Sequence, residues 1–426
     1  LLKELIHYRG NKKVILSRPC VYGVFSGPLG GFAPRDHLCV GCLRCTTQYP
    51  EMVQVLRNPE RERLGDSYFT PELVDTVIYE AQTGRVPVKG AGYRGKFGGA
   101  GWDGMWTDMS EIVRPTRDGI HGREFISTSV DIGEKPGYLE FDAAGRPRTP
   151  VAGIFSIPVP FVFDPPPVSA ASQTLQTVLG EAARQLETLA ILPLSLIAKF
   201  ALDGRHIAPL VTAQDRDSLP RLRLEPALIE LVGWDKSLYQ ELRSRFPHSV
   251  VALRLRYGED LLAHVRAGVR VFHLVADYHG RGRDGGFVLD LIREVHQTLV
   301  DAGCRDEVTL MGSGGIIAAE HLPKAIICGL DLIALDTPVL VALQAKFTGE
   351  CVNLEKSRFE LPSQMTTEWG VQRIKNLAAS WRDQLLEVLG AMGLREVRRL
   401  RGEIGRAMFQ SDLEREAFAG IEGYGD

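Results

Sequence analysis

The chain has 426 residues, 44% of them hydrophobic and 24% charged, with a formal net charge of −3. It is long enough for a large core and two or more structural units. The balanced charge excludes the general basic field that a nucleic-acid partner needs. No membrane span is expected, because apolar runs such as Thr188 to Ala198 and Pro158 to Phe163 are short or broken by Pro, Lys or Asp. There is no signal-peptide pattern, and a first residue of Leu in place of Met is expected where the natural N-terminus lies further upstream. Seven cysteines, an odd count, argue for a reducing compartment over a disulfide framework, so a cytoplasmic protein is expected.

Residues 36 to 50 read Asp-His-Leu-Cys-Val-Gly-Cys-Leu-Arg-Cys-Thr-Thr-Gln-Tyr-Pro. The Cys-x2-Cys-x2-Cys run of Cys39, Cys42 and Cys45 puts three thiolates on one tight loop, the spacing that ferredoxins use. A bacterial ferredoxin continues with a fourth cysteine before proline, where this chain has Tyr49 and Pro50. One [4Fe-4S] cluster then needs a remote ligand, and Cys20 is the N-terminal candidate. A zinc ion on the same four cysteines, or a [3Fe-4S] cluster that leaves Cys20 out, are the alternatives. Residues 1–66 are therefore expected to form a ferredoxin-like iron–sulfur segment.

Residues 67–149 are rich in glycine and read as a linking region packed on a larger body. Phe69 to Ala81 has the pattern of an amphipathic helix, with Thr70 at its cap and Pro71 in its first turn. Further on, Asp108, Glu111, Arg114, Arg117, Asp118, His121, Arg123 and Glu124 are expected either to anchor a long loop by ion pairs or to line a redox site.

Beyond Pro150 the pattern becomes short apolar runs alternating with helices, the sign of parallel βα units. The runs are Ile157 to Phe163, Thr188 to Leu196, Ile207 to Val211, Ala227 to Val232, Val250 to Leu255, Val269 to Val275, Val308 to Met311 and Leu332 to Leu335. Helices are expected at Ser169 to Leu189, Phe287 to Asp301 and Ala318 to Cys328. Eight such runs predict an α/β fold of the (β/α)8 TIM-barrel type over residues 150–426, closed by C-terminal helices. In such a barrel the loops after strands seven and eight form the usual phosphate site. Here they are Gly312, Ser313, Gly314 and Gly315 after run seven and Asp336-Thr337-Pro338 after run eight; a plain tight turn is the alternative at the glycines. Alternation in run five puts Val250, Ala252, Arg254 and Arg256 on one face. A cation there needs a flavin edge, an anionic substrate or an internal carboxylate opposite it.

The stretch Glu294-Val-His-Gln-Thr-Leu-Val-Asp-Ala-Gly-Cys-Arg-Asp-Glu-Val-Thr-Leu-Met-Gly-Ser-Gly-Gly-Ile316, with Lys324 to Asp331 and Thr337 to Leu343, resembles the FMN-binding barrel of the glutamate synthase large subunit. Leu385 to Gly402 resembles the helical close of that domain. The resemblance implies FMN, with its phosphate at Gly314, Gly315 and Thr337 and with Arg254 where the family has a Lys. It further implies reduction of 2-iminoglutarate, formed from 2-oxoglutarate and ammonia, with electrons reaching the flavin from an iron–sulfur centre. By their expected place at strand ends, Arg254, Arg256, Asp277 and His279 are the candidate catalytic residues.

Three departures from the family accompany the resemblance. The small Ser/Gly-rich loop after the first strand is here Asp164-Pro-Pro-Pro167, the three cysteines after the eighth strand are reduced to Cys351, and no amidotransferase domain is expected within these residues. Separate electron-donor and glutaminase subunits are the expected partners. Two other readings follow: a degenerate barrel that is a scaffold or electron-transfer subunit of a larger redox complex, and an FMN enzyme for another amino or imino acid.

Overall fold

A computed structural model describes residues 2–11, 20–26, 34–35, 38–51, 53–54, 56, 59–60, 63–88, 99, 101–107, 125–135, 140–148, 153–167, 172–221 and 224–423. The chain divides into two compact units: Leu1–Leu64 with Pro87–Phe97, and Gly65–Val86 with Gly98–Asp426. The charged cluster expected between Asp108 and Glu124 lies outside the described residues.

In the larger unit eight parallel strands close into a barrel: β1 (Phe161–Phe163), β2 (Ala190–Pro193), β3 (Ile207–Val211), β4 (Leu228–Val232), β5 (Val250–Arg256), β6 (Val271–Val275), β7 (Thr309–Ser313) and β8 (Leu332–Leu335). Their residues are apolar nearly throughout because both faces are covered, by helices outside and by opposing strands inside. The registers fix what meets at the mouth. Arg254 on β5 pairs across to His273 on β6, and His273 to Met311 on β7.

Among the boundaries that depart from the sequence expectation, three have a plain physical reason. The run Ile157 to Phe163 is divided by Pro158 and Pro160. Ile157 ends a separate strand, Ile154–Ile157, antiparallel to Val130–Gly133, and β1 starts only at Phe161. The run Thr188 to Leu196 is cut at Pro193, after which Leu194–Phe200 is a helix. Gly312 and Ser313 continue β7, and the turn begins at Gly314.

The Val130–Gly133 hairpin lies under the barrel, where the Thr309 hydroxyl at the start of β7 donates to Gly133 O at 2.9 Å. Outside, the helix Gln173–Gln185 is capped by Ser172, whose Oγ accepts from Leu175 N, and it buries Leu175, Val178, Leu179 and Ala182. Each such leucine or valine side chain is worth about 1.5–3 kcal/mol on burial. The helix Pro71–Thr83 begins with Pro71 as expected, but the Thr70 side chain makes no cap bond. It is tied to the long helix Thr367–Ala391, where Trp381 Nε1 and Gln384 Nε2 donate to the buried Glu80 carboxylate at 2.9 and 2.7 Å.

Candidate functional site

The C-terminal mouth of the barrel holds a buried charge cluster built from five strands or strand ends. Arg254 Nη1 and Nη2 donate to the two oxygens of Asp164, just past β1, at 2.6 and 2.7 Å. Nη1 also donates to Glu230 on β4 at 3.0 Å. His273 Nδ1 lies 2.8 Å from the other Glu230 oxygen, and its Nε2 lies 3.0 Å from Ser313 Oγ. Glu230, His273 and Ser313 are wholly buried and Asp164 is nearly so. Burial alone would raise the Asp164 carboxyl, but the Arg254 guanidinium, with His273 behind it, holds it below the usual carboxylate range. Two carboxylates thus answer the arginine's charge from within the protein.

The glycine turn beside this cluster is tightly roofed. Gly314 and Gly315 have φ of +94° and +70°. A Cβ on Gly314 would sit 2.5 Å from Asp277 O, and one on Gly315 2.5 Å from Gly280 Cα, so both positions require glycine. The Gly315 carbonyl accepts from Tyr68 Oη at 2.5 Å and from Trp102 Nε1 at 2.9 Å. His321 Nδ1 accepts from Ile317 N and Ala318 N at 3.2 and 3.4 Å. After β8, Asp336 Oδ1 accepts from Thr337 N and so caps its own helix, Thr337–Ala342. Burial, and then the nearby Asp164 charge, push the Asp336 carboxyl up to about 7. The Thr337 hydroxyl is buried and has no hydrogen-bond partner among the described residues.

Of the expected catalytic residues only Arg254 joins the central cluster. Arg256, at the very end of β5, is exposed, because strand parity sets a side and not a depth in the barrel. Asp277 Oδ1 caps its own loop by accepting from His279 N and Arg281 N at 3.0 and 2.7 Å. His279 Nε2 is 3.0 Å from Asp66 Oδ2 and its ring stacks on Tyr68. Cys351 is buried nearby, its N donating to Asp66 Oδ2 at 2.9 Å. Among the expected cofactor residues, Gly312 is an interior strand position, where a Cβ would meet Leu330 Cδ1 at 2.6 Å and Tyr257 Oη at 2.7 Å. Glu230 and His273 were not among the expected site residues. Their signal was a lone polar side chain inside each of the apolar runs Leu228–Val232 and Val271–Val275.

In the smaller unit Cys45 lies on the short helix Arg44–Gln48, entered through Leu43 at φ 55°. Its thiol is raised first by burial, while the Thr46 N–H aimed at the sulfur opposes that rise. Cys20, Cys39 and Cys42 each act on its charge. None of the four is in a disulfide.

Residues 282–395 match the conserved region in glutamate synthase. An archaeal-type glutamate synthase [NADPH] of Dehalococcoides mccartyi is 24% identical over 436 residues, covering 86% of this chain and 86% of that protein. The archaeal glutamate synthase [NADPH] of Archaeoglobus fulgidus is 25% identical over 469 residues, covering 91% and 89%. Among solved structures, flavocytochrome b2 aligns with a TM-score of 0.43 at 12% identity, over 74% of this chain and 83% of that one. On an eight-stranded α/β barrel, this chain is therefore similar over residues 282–395 to the conserved region in glutamate synthase and over most of its length to archaeal-type glutamate synthases, which are oxidoreductases.

Proposed function

We propose that the protein is a redox protein of glutamate synthase type whose electrons pass through an iron–sulfur cluster held by Cys20, Cys39, Cys42 and Cys45. The triple cysteine run, with Cys20 among the groups that act on the Cys45 charge, carries this reading. The donor set fits: four thiols, with the Thr46 N–H turned toward sulfur as in a cluster-binding loop. When bound, the cluster supplies one-electron transfer at a potential set by its charge and hydrogen bonds. The chain supplies the four thiolates and the Arg44–Gln48 helix that presents Cys45. A separate donor subunit would feed it. Protein purified without oxygen is expected to contain about four irons and matching labile sulfide per chain, with the cluster lost or reduced to three irons in Cys20→Ser. Zinc in place of iron, or neither metal, would sink the reading.

A second reading is the family reaction itself, FMN-dependent conversion of 2-oxoglutarate and ammonia to glutamate, or of another imino acid. The match over residues 282–395, which includes the glycine turn and Thr337, favours it. As this structure arranges them, however, the residues present do not fit a flavin: Asp164 holds Arg254 on both guanidinium nitrogens, and Asp336 accepts the Thr337 N–H. Glutamate formed by the isolated, FMN-supplied chain from 2-oxoglutarate, ammonia and a reductant would establish the second reading over the first.

A further inference from the structure

We propose that the barrel excludes FMN because two of its own carboxylates, Asp164 and Asp336, occupy the places of the flavin's two electron-rich parts. The proposal opposes the flavin reading above and is independent of the cluster reading, which rests on the other unit of the chain.

Three observations carry it. Arg254 is the cation at the heart of the mouth, and its charge is spent: both terminal nitrogens bind Asp164, and Nη1 binds Glu230 besides. A flavin's N1–C2=O edge would have to displace a bidentate, buried carboxylate pair to reach it. Three backbone donors near the ends of β7 and β8 are already used. Ile317 N and Ala318 N point to His321 Nδ1, and Thr337 N points to Asp336. The glycines that would let a phosphate approach are instead spent on the chain itself, since the backbone of residues 276 to 280 lies against Gly314 and Gly315.

The electrostatics point the same way. The Asp164 charge acts on Asp336, whose carboxyl is already pushed up to about 7, and a phosphate dianion brought beside Thr337 would add further negative charge to the same buried volume.

The test measures FMN retained by the full-length, cluster-loaded protein after incubation with FMN and exhaustive dialysis, beside an Asp164→Asn/Asp336→Asn double variant and each single variant. Asparagine keeps the Thr337 cap and the size of both side chains while removing their charge. The wild type is expected to retain no FMN, and the double variant to bind it at least tenfold more tightly than the wild type. Stoichiometric FMN in the wild type overturns the proposal. So does a double variant that melts as the wild type does and still binds no FMN, because exclusion would then not lie with the two carboxylates. Should the double variant fail to fold, the same tenfold gain is read from Asp336→Asn alone.

Discussion

Asp331 and Asp336 bracket the same strand, β8, and their surroundings treat them in opposite ways. Both are buried, with 7% and 3% of their surface exposed. At the floor of the barrel, Asp331 accepts from Arg305 Nη2 at 2.9 Å, Lys135 Nζ at 2.9 Å, Arg401 Nη1 at 3.1 Å and Leu310 N at 2.9 Å. Burial would raise its carboxyl, but these cations hold it well below the ordinary range. At the mouth, Asp336 has the Thr337 N–H and no cation among the groups that act on it, and it rises. The floor is a charge cluster arranged for folding. Asp336 works against folding to the extent that it is ionised, while its cap on Thr337 N favours the helix that follows.

The largest effect expected from this contrast is at the floor. Asp331→Ala would leave Arg305, Lys135 and Arg401 facing one another in a largely buried volume, at a cost of about 3–5 kcal/mol in urea unfolding at neutral pH. Because the folded carboxyl lies below the unfolded value of about 3.9, its contribution is complete above that pH and is lost as the pH falls through the folded value. The deficit of Asp331→Ala is therefore expected to shrink only in strong acid. A deficit that vanished already near pH 5 would mean that the three cations do not act on this group.

At the mouth the sign reverses. Asp336 is raised to about 7, above its unfolded value, so between about pH 4 and 7 the folded chain binds the proton that the unfolded chain has released. Stability from this group is greatest below about pH 4, declines up to about 7 and is flat beyond. Asp336→Asn is expected to match the wild type near pH 4 and to exceed it by on the order of a few kcal/mol at pH 8. Unfolding curves at the two pH values decide it, and a variant less stable at pH 8 would contradict the assignment.

How far the sequence went can be followed in particular residues. The bounds of β3 and β8 were legible because each is a short apolar run between breakers, and the barrel followed from counting such runs. Where apolar character continued past an element's end, as from Thr188 to Leu196, it did not say that a helix starts at Leu194. Arg254 was visible, with Arg256, as a cation on a barrel face. That its partners are Asp164 and Glu230 was not, because which strand ends meet depends on the stagger of the closed barrel. Asp336 was named for its place beside Thr337. Its raised carboxyl reflects burial and then the neighbouring Asp164 charge, and nothing in a string of residues records either.

The smallest effect separates a closed mouth from one awaiting a ligand. The Thr337 hydroxyl is buried without a partner among the described residues, a state that costs about 1–3 kcal/mol relative to a bonded hydroxyl. Thr337→Val keeps the branched shape and removes the unsatisfied oxygen, so in a barrel that takes no phosphate it is expected to gain about 1 kcal/mol in denaturant unfolding. The backbone cap by Asp336 is untouched, since it uses Thr337 N. If a phosphate group instead bonds this hydroxyl in the working protein, Thr337→Val would lose stability whenever FMN is present and the loss would grow with FMN concentration. A gain that does not depend on added FMN is what the closed mouth requires, because Asp336 then leaves no anion for the hydroxyl to meet.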